Sequence, residues 1–125
     1  MRASDLIWVF LGGGFGSVCR YGLSIFFLVY VPGYPWGTLL VNVLGSAAAG
    51  LLLGRFPDAG YPAWKLFLLT GILGGFTTFS SFSLETLSLW IHLQRGLALL
   101  NMGANLAGSL IAVCLGFLLG RGLLD

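Results

Sequence analysis

Apolar residues come in four long runs, and the few polar residues inside those runs recur at helical spacing. About 20 mainly apolar residues carry a helix across the hydrocarbon core. The pattern therefore predicts spans at about 4–30, 36–54, 63–92 and 97–120. Val31-Pro32-Gly33-Tyr34-Pro35 is a turn signal that ends the first run. A more polar connector from Arg55 to Lys65 holds Asp58 and two prolines, and Gln94-Arg95-Gly96 makes a short turn. The third run is longer than one straight crossing and contains Gly74-Gly75-Phe76-Thr77-Thr78. This predicts a helix broken mid-membrane. Backbone freed from a helix at that depth is tolerated only where it is buried in protein or lines a cavity. The break is thus the natural place for an ion.

Composition narrows the class. The chain has 125 residues, of which 58% are hydrophobic and only 8% charged, against about 25% charged in soluble domains. Mean hydropathy is +0.97. We expect an all-α membrane protein with four transmembrane helices, residues 1–125 forming one integral membrane domain. The first run is too long for a cleaved signal peptide, and three more spans follow it, so it reads as a retained helix. A net charge of +2 is too small to imply nucleic acid. Cys19 and Cys114, isolated in apolar stretches, read as small packing residues. Tyr30, Tyr34, Trp36, Tyr61, Trp64 and Trp90 fall at span ends, where the water–lipid boundary favours them; Trp8 does not fit that pattern.

Arg2, Arg55, Lys65 and Arg121 lie on the side of the termini and Arg95 on the other, which predicts cytoplasmic termini. Gly12-x-x-x-Gly16, Ser46-x-x-x-Gly50-x-x-x-Gly54 and Gly116-x-x-x-Gly120 form small-residue ridges of the kind that bring helices together in lipid. Four short helices enclose little on their own, so these ridges predict at least a homodimer.

Polar groups at membrane depth are costly unless partnered, and they often mark a pathway. Asn42 sits mid-span, with Thr38 and Ser46 one turn to either side. Asn101, Asn105 and Ser109 make a matching stripe on the fourth span. Each residue alone reads as interhelical glue worth about 0.6 kcal/mol. Two aligned stripes favour a polar track of neutral donors, which suits an anion that must pass without sticking. Phe79 and Phe82 share a face; such rings ordinarily pack, but their electropositive edges can hold a small anion. Arg20 could draw anions into a vestibule or pair with an acid. Glu85, one turn after the phenylalanines, could face water or cap a network. His92 reads as an interface residue. No Ser–His–Asp set, HExxH, CxxC or phosphate-binding loop is present, and Gly12–Gly14 lies in an apolar helix, so the chain does not read as an enzyme.

GGGFGSVCRYG in the first span, GTLLVNVLG in the second and GGFTTFSSF in the third together resemble the signatures of the Fluc fluoride channels, the CrcB family. The resemblance covers nearly the whole chain. It implies an antiparallel, dual-topology homodimer with two narrow fluoride pores. It also implies a structural sodium ion at the dimer centre, held by the backbone carbonyls of Gly74 and Thr77. Asn42, Phe79, Phe82 and Ser109 would line the fluoride path. Arg20, Thr38, Ser81, Glu85 and Asn105 would form the vestibule or its support, Ser81 standing where many relatives carry threonine. The implied role is passive export of toxic fluoride across a bacterial inner membrane. Dual insertion asks for balanced loop charge, and the surplus of cations on the terminal side pulls against it. Two alternatives remain. A small four-span proton-coupled multidrug exporter would need a carboxylate deep in its first span, where only Asp5 is offered, near the start. A non-conducting assembly subunit would have no need of the break.

Overall fold

A computed structural model describes residues 2–57, 60 and 62–122. Asp58 and Tyr61, assigned above to the connector and a span end, lie outside the described residues. Among the described residues, four helical spans are long and apolar enough to cross a membrane: α1 (Ala3–Tyr30), α2 (Trp36–Arg55), a third span over Ala63–Ile91, and α6 (Arg95–Gly122).

The third span is composite. A single turn, α3 (Ala63–Lys65), runs into π-helix over Leu66–Leu73 and then into α4 (Gly74–Phe76). Thr77 (φ −78°, ψ 153°) and Thr78 (φ −152°, ψ 117°) are extended. Helix resumes as α5 (Phe79–Ile91), whose N-terminus is capped by Thr78: its Oγ1 accepts from the Ser81 N–H at 3.1 Å.

Glycines set the closest helix contacts. The α2–α6 pair has the most extensive interface. A Cβ added to Gly50 would run into the Val113 carbonyl, and one on Gly116 into the Ala47 carbonyl. Gly12 and Gly16 of α1 meet the third span the same way; a Gly12 Cβ would stand 2.9 Å from the Gly71 Cα. The three ridges expected to drive self-association are therefore used inside the chain, and they give no support to a dimer. The sequence marked close approach correctly but not which helix approaches.

The outward faces of α1 and α6 expose Phe10, Phe15, Val18, Leu110 and Leu118, as lipid contact requires. Arg55, Arg95 and Arg121 lie over Phe56, Trp90 and Phe117 at 5.6, 5.5 and 5.9 Å from the ring centroids, a favourable arrangement for cations at helix ends. Trp8, anomalous in the sequence, packs edge-on to Phe67 at 6.1 Å. His92 Nδ1 lies 2.8 Å from the Ser88 carbonyl at the end of α5. Both cysteines are free thiols.

Candidate functional site

The site grows from the hydrogen bonds that the Thr77–Thr78 interruption rearranges. In an α-helix each carbonyl accepts from the N–H four residues on. The Thr78 N–H, which would serve Gly74, goes to Asn42 Oδ1 at 2.8 Å. The Ser81 N–H, which would serve Thr77, goes to Thr78 Oγ1 at 3.1 Å. The Gly74 and Thr77 carbonyls thus lose their regular helical donors. Gly75 is compensated by Arg20, whose Nε donates to its carbonyl at 3.0 Å, with Ser17 Oγ at the hydrogen-bond limit of 3.5 Å. Arg20 holds a carbonyl of the break and pairs with no acid among the described residues. Among the described residues the ion pair present is Arg2–Asp5, at 3.9 Å.

The two polar stripes meet in one chain of amides. Asn42 Nδ2 donates to the Thr78 carbonyl at 3.1 Å and to Asn105 Oδ1 at 2.9 Å. Asn105 Nδ2 donates to Asn101 Oδ1 at 2.9 Å and to its carbonyl at 3.1 Å. Asn101 Nδ2 donates to Thr86 Oγ1 at 2.9 Å, and that hydroxyl donates to the Phe82 carbonyl at 2.7 Å. An amide nitrogen has two protons, so those of Asn42 and Asn105 are all engaged. The residues expected to form a track bond one another as interhelical glue would.

Beside this network lies a cavity of about 330 Å³, lined by Asn42, Ser46, Thr77, Thr78, Phe79, Phe82, Asn105 and Ser109, with Leu106 and Leu110. Phe79 and Phe82 pack edge-on, 5.2 Å between centroids at 67°. They are unequal: Phe82 is 6% exposed and Phe79 71%. Ser81 Oγ accepts from Thr78 Oγ1 at 3.1 Å, behind the capping turn.

Thr38 and Glu85 line a second cavity, about 360 Å³, between the ends of α1, α2 and α5. Thr38 Oγ1 donates to Glu85 Oε1 at 2.6 Å. Glu85 Oε2 and the Tyr34 hydroxyl are buried with no hydrogen-bond partner among the described residues. Burial, aided by the nearby Glu85 carboxylate, raises the Tyr34 phenol above its ordinary value.

Sequence reasoning singled out most of these residues and missed three. Thr78 was part of the break, but a threonine directly before a resuming helix is a legible N-cap. Thr86 sits one turn after Phe82, facing the fourth-span stripe. Tyr34 passed as an interfacial ring, and nothing local betrays its buried hydroxyl.

A multi-pass membrane protein with a polar, aromatic-lined site beside backbone released from its regular helical bonds is the class that the fold and these contacts define. The family described as "CrcB-like protein, Camphor Resistance (CrcB)" matches residues 7–117. The chain belongs to that family, the one its three glycine-rich motifs resemble. It is similar to the fluoride-specific ion channel FluC of Paracoccus denitrificans (strain Pd 1222), 46% identical over 115 residues covering 92% of this chain and 93% of that protein. The protein of the same name from Serratia proteamaculans (strain 568) is 46% identical over 118 residues, 93% of each chain. That of Agrobacterium fabrum (strain C58 / ATCC 33970) is 45% identical over 123 residues, 95% of this chain and 98% of the relative. The relatives are named as ion channels, a non-enzymatic class.

Proposed function

We propose that this chain is a fluoride-selective channel that lets cytoplasmic fluoride leave passively, and that it works as an antiparallel homodimer in a bacterial inner membrane. The observation that carries this reading is the cavity that gathers Asn42, Phe79, Phe82, Asn105 and Ser109 beside the interruption of the third span. Fluoride is small and strongly hydrated, so a site that takes it must offer many donors and positive ring edges. Serine hydroxyls, amides and an edge-on aromatic pair supply them without a fixed charge that would trap the ion.

The cation belongs to the same proposal. The residues fit it: the Gly74 and Thr77 carbonyls have lost their regular donors to Asn42 and Thr78, and Gly74 lies on an exposed face of the chain. A two-fold axis through that face would bring two such carbonyls from each copy together, a donor set suited to a dehydrated monovalent cation. A bound sodium ion supplies a fixed positive charge between the two copies. The chain's own residues do the rest. Arg20 holds the Gly75 carbonyl, Asn42 holds Thr78, and the hydroxyls and rings exchange for fluoride's water. Fluoride enters cells as neutral HF and ionises at cytoplasmic pH. A negative-inside potential then drives the anion out by about 2.3 kcal/mol per 100 mV. Proton-coupled drug export is the weaker account, because Asp5 is tied to Arg2 at the start of α1: the Arg2 backbone N–H donates to its Oδ2 at 2.8 Å.

The test is fluoride efflux from proteoliposomes loaded with fluoride and given a potassium shunt. A channel releases fluoride fast without a pH gradient and retains chloride. Release that requires a proton gradient, or no release, overturns the proposal.

A further inference from the structure

We infer that Asn42 is a positioning residue that couples the two parts of the site: the amide that borders the fluoride cavity is also what frees the Gly74 carbonyl to bind a cation. This rests on the cation site proposed above and adds the residue that creates it.

One side chain makes three bonds here. Oδ1 accepts from the Thr78 N–H at 2.8 Å, while Nδ2 donates to the Thr78 carbonyl at 3.1 Å and to Asn105 Oδ1 at 2.9 Å. The first two grip both polar groups of a single residue's backbone. That grip takes the place of the Thr78-to-Gly74 bond that a continuous helix would make. Without it, the released Thr78 N–H would be a buried donor in need of an acceptor, and the Gly74 carbonyl is the one helical geometry supplies. Only a carboxamide offers a neutral acceptor and two donors on one short arm. An ionised aspartate keeps the acceptor and loses both donors; alanine loses everything.

The coupling follows from saturation. Both Asn42 protons are engaged, so a fluoride ion that draws on Nδ2 does so at the expense of Thr78 or of Asn105. Interhelical glue alone would stabilise the fold and leave cation affinity unchanged. A positioning role makes cation affinity depend on the Oδ1 acceptor and fluoride flux on the Nδ2 donors.

The experiment separates those atoms. Full-length wild type, Asn42→Ala, Asn42→Asp and Asn105→Ala are purified, and the sodium concentration giving half the maximal thermal stabilisation is measured against N-methyl-D-glucamine. Fluoride efflux is measured in parallel. Asn42→Ala should need about tenfold more sodium, the equivalent of one neutral hydrogen bond. Asn105→Ala keeps the grip on Thr78 and should stay within roughly threefold of wild type, the spread one weak contact allows. Asn42→Asp keeps the acceptor, so it should bind sodium at least as well as wild type, yet its flux should fall by about tenfold or more. An Asn42→Ala protein with the wild-type sodium half-point overturns the inference. If that variant does not assemble, Asn42→Asp decides alone: sodium binding weakened by about tenfold refutes the role of Oδ1. A wild type that responds identically to sodium and N-methyl-D-glucamine sinks the cation reading itself, and this inference with it. A wild type that responds while Asn42→Ala follows it sinks only the inference.

Discussion

Replacing Phe79 with leucine separates an aromatic that conducts from one that packs. Its ring is 71% exposed and meets Phe82 edge-on at 5.2 Å. The stability at stake is the ring pair alone, about 0.5–1.5 kcal/mol; leucine keeps an apolar side chain and opens no core cavity. Phe82 is 6% exposed, and Phe82→Ala should cost roughly 3–5 kcal/mol through the void it leaves. If the electropositive ring edge of Phe79 contributes about 1 kcal/mol to a passing anion, its loss slows flux about fivefold. The assay pairs fluoride efflux, read with a fluoride electrode, with thermal unfolding of the same preparation in detergent. The expected result for Phe79→Leu is a large loss of flux with a small loss of stability. Wild-type flux in a well-folded Phe79→Leu protein would refute a conducting role for that ring. A loss of stability as large as that of Phe82→Ala would show that Phe79 is buried in the working assembly for packing.

Gly50→Ala should lower the unfolding midpoint by the equivalent of about 1–3 kcal/mol, because the new methyl meets the Val113 backbone, which cannot swing aside; Gly103→Ala, with open space around it, should be neutral or slightly stabilising. Tyr34→Phe removes a buried hydroxyl that has no partner among the described residues and should leave the melting midpoint unchanged or raise it by the equivalent of about 1 kcal/mol; a clear drop would mean that a water or a second copy bonds it. Because the folded Tyr34 pKa lies above the ordinary 10.0, its contribution to stability is complete below that value and is lost as pH rises through the folded one. Ultraviolet titration should accordingly find one phenolate, absent from Tyr34→Phe, forming above pH 10.0. Thr38→Val takes away the hydroxyl that donates at 2.6 Å to Glu85 Oε1, while Oε2 already has no partner among the described residues. Combined with Glu85→Gln in a double-mutant cycle, it should give a coupling of about 1.5–3 kcal/mol, and additivity would refute the bond.

Some of this molecule is written locally and some is not. Span positions follow from run length, since a helix in lipid must keep its backbone bonded internally for the thickness of the core. The interruption at Thr77–Thr78 has local causes too. Glycines remove side-chain support before it, and Thr78 caps the helix that follows. The π-helical stretch Leu66–Leu73 has no such signature; apart from Thr70 and Gly71 its residues are ordinary apolar ones. Spacing put Phe79 and Phe82 on one face, which their ring contact reflects. It could not say that one is buried and the other exposed, because exposure depends on what lies beyond the first residue after a break.

The hydrogen-bond closure is the least legible part and the most consequential. Asn42 meets Thr78 across 36 residues and Asn105 across 63, so no local window contains the pair. Periodicity could only say that each stripe needed partners. Given two stripes in a four-span chain, lipid leaves them little choice except each other, and the Asn42 and Asn105 amides saturate as a result. That saturation decides how the site can work. Asn42 and Asn105, whose amide protons are all engaged, do not bind an anion by waiting for it. On the proposed reading, an anion that reaches Asn42 Nδ2 trades for a bond to the Thr78 carbonyl or to Asn105, while the Oδ1 bond that keeps the third helix open at Thr78 stays in place.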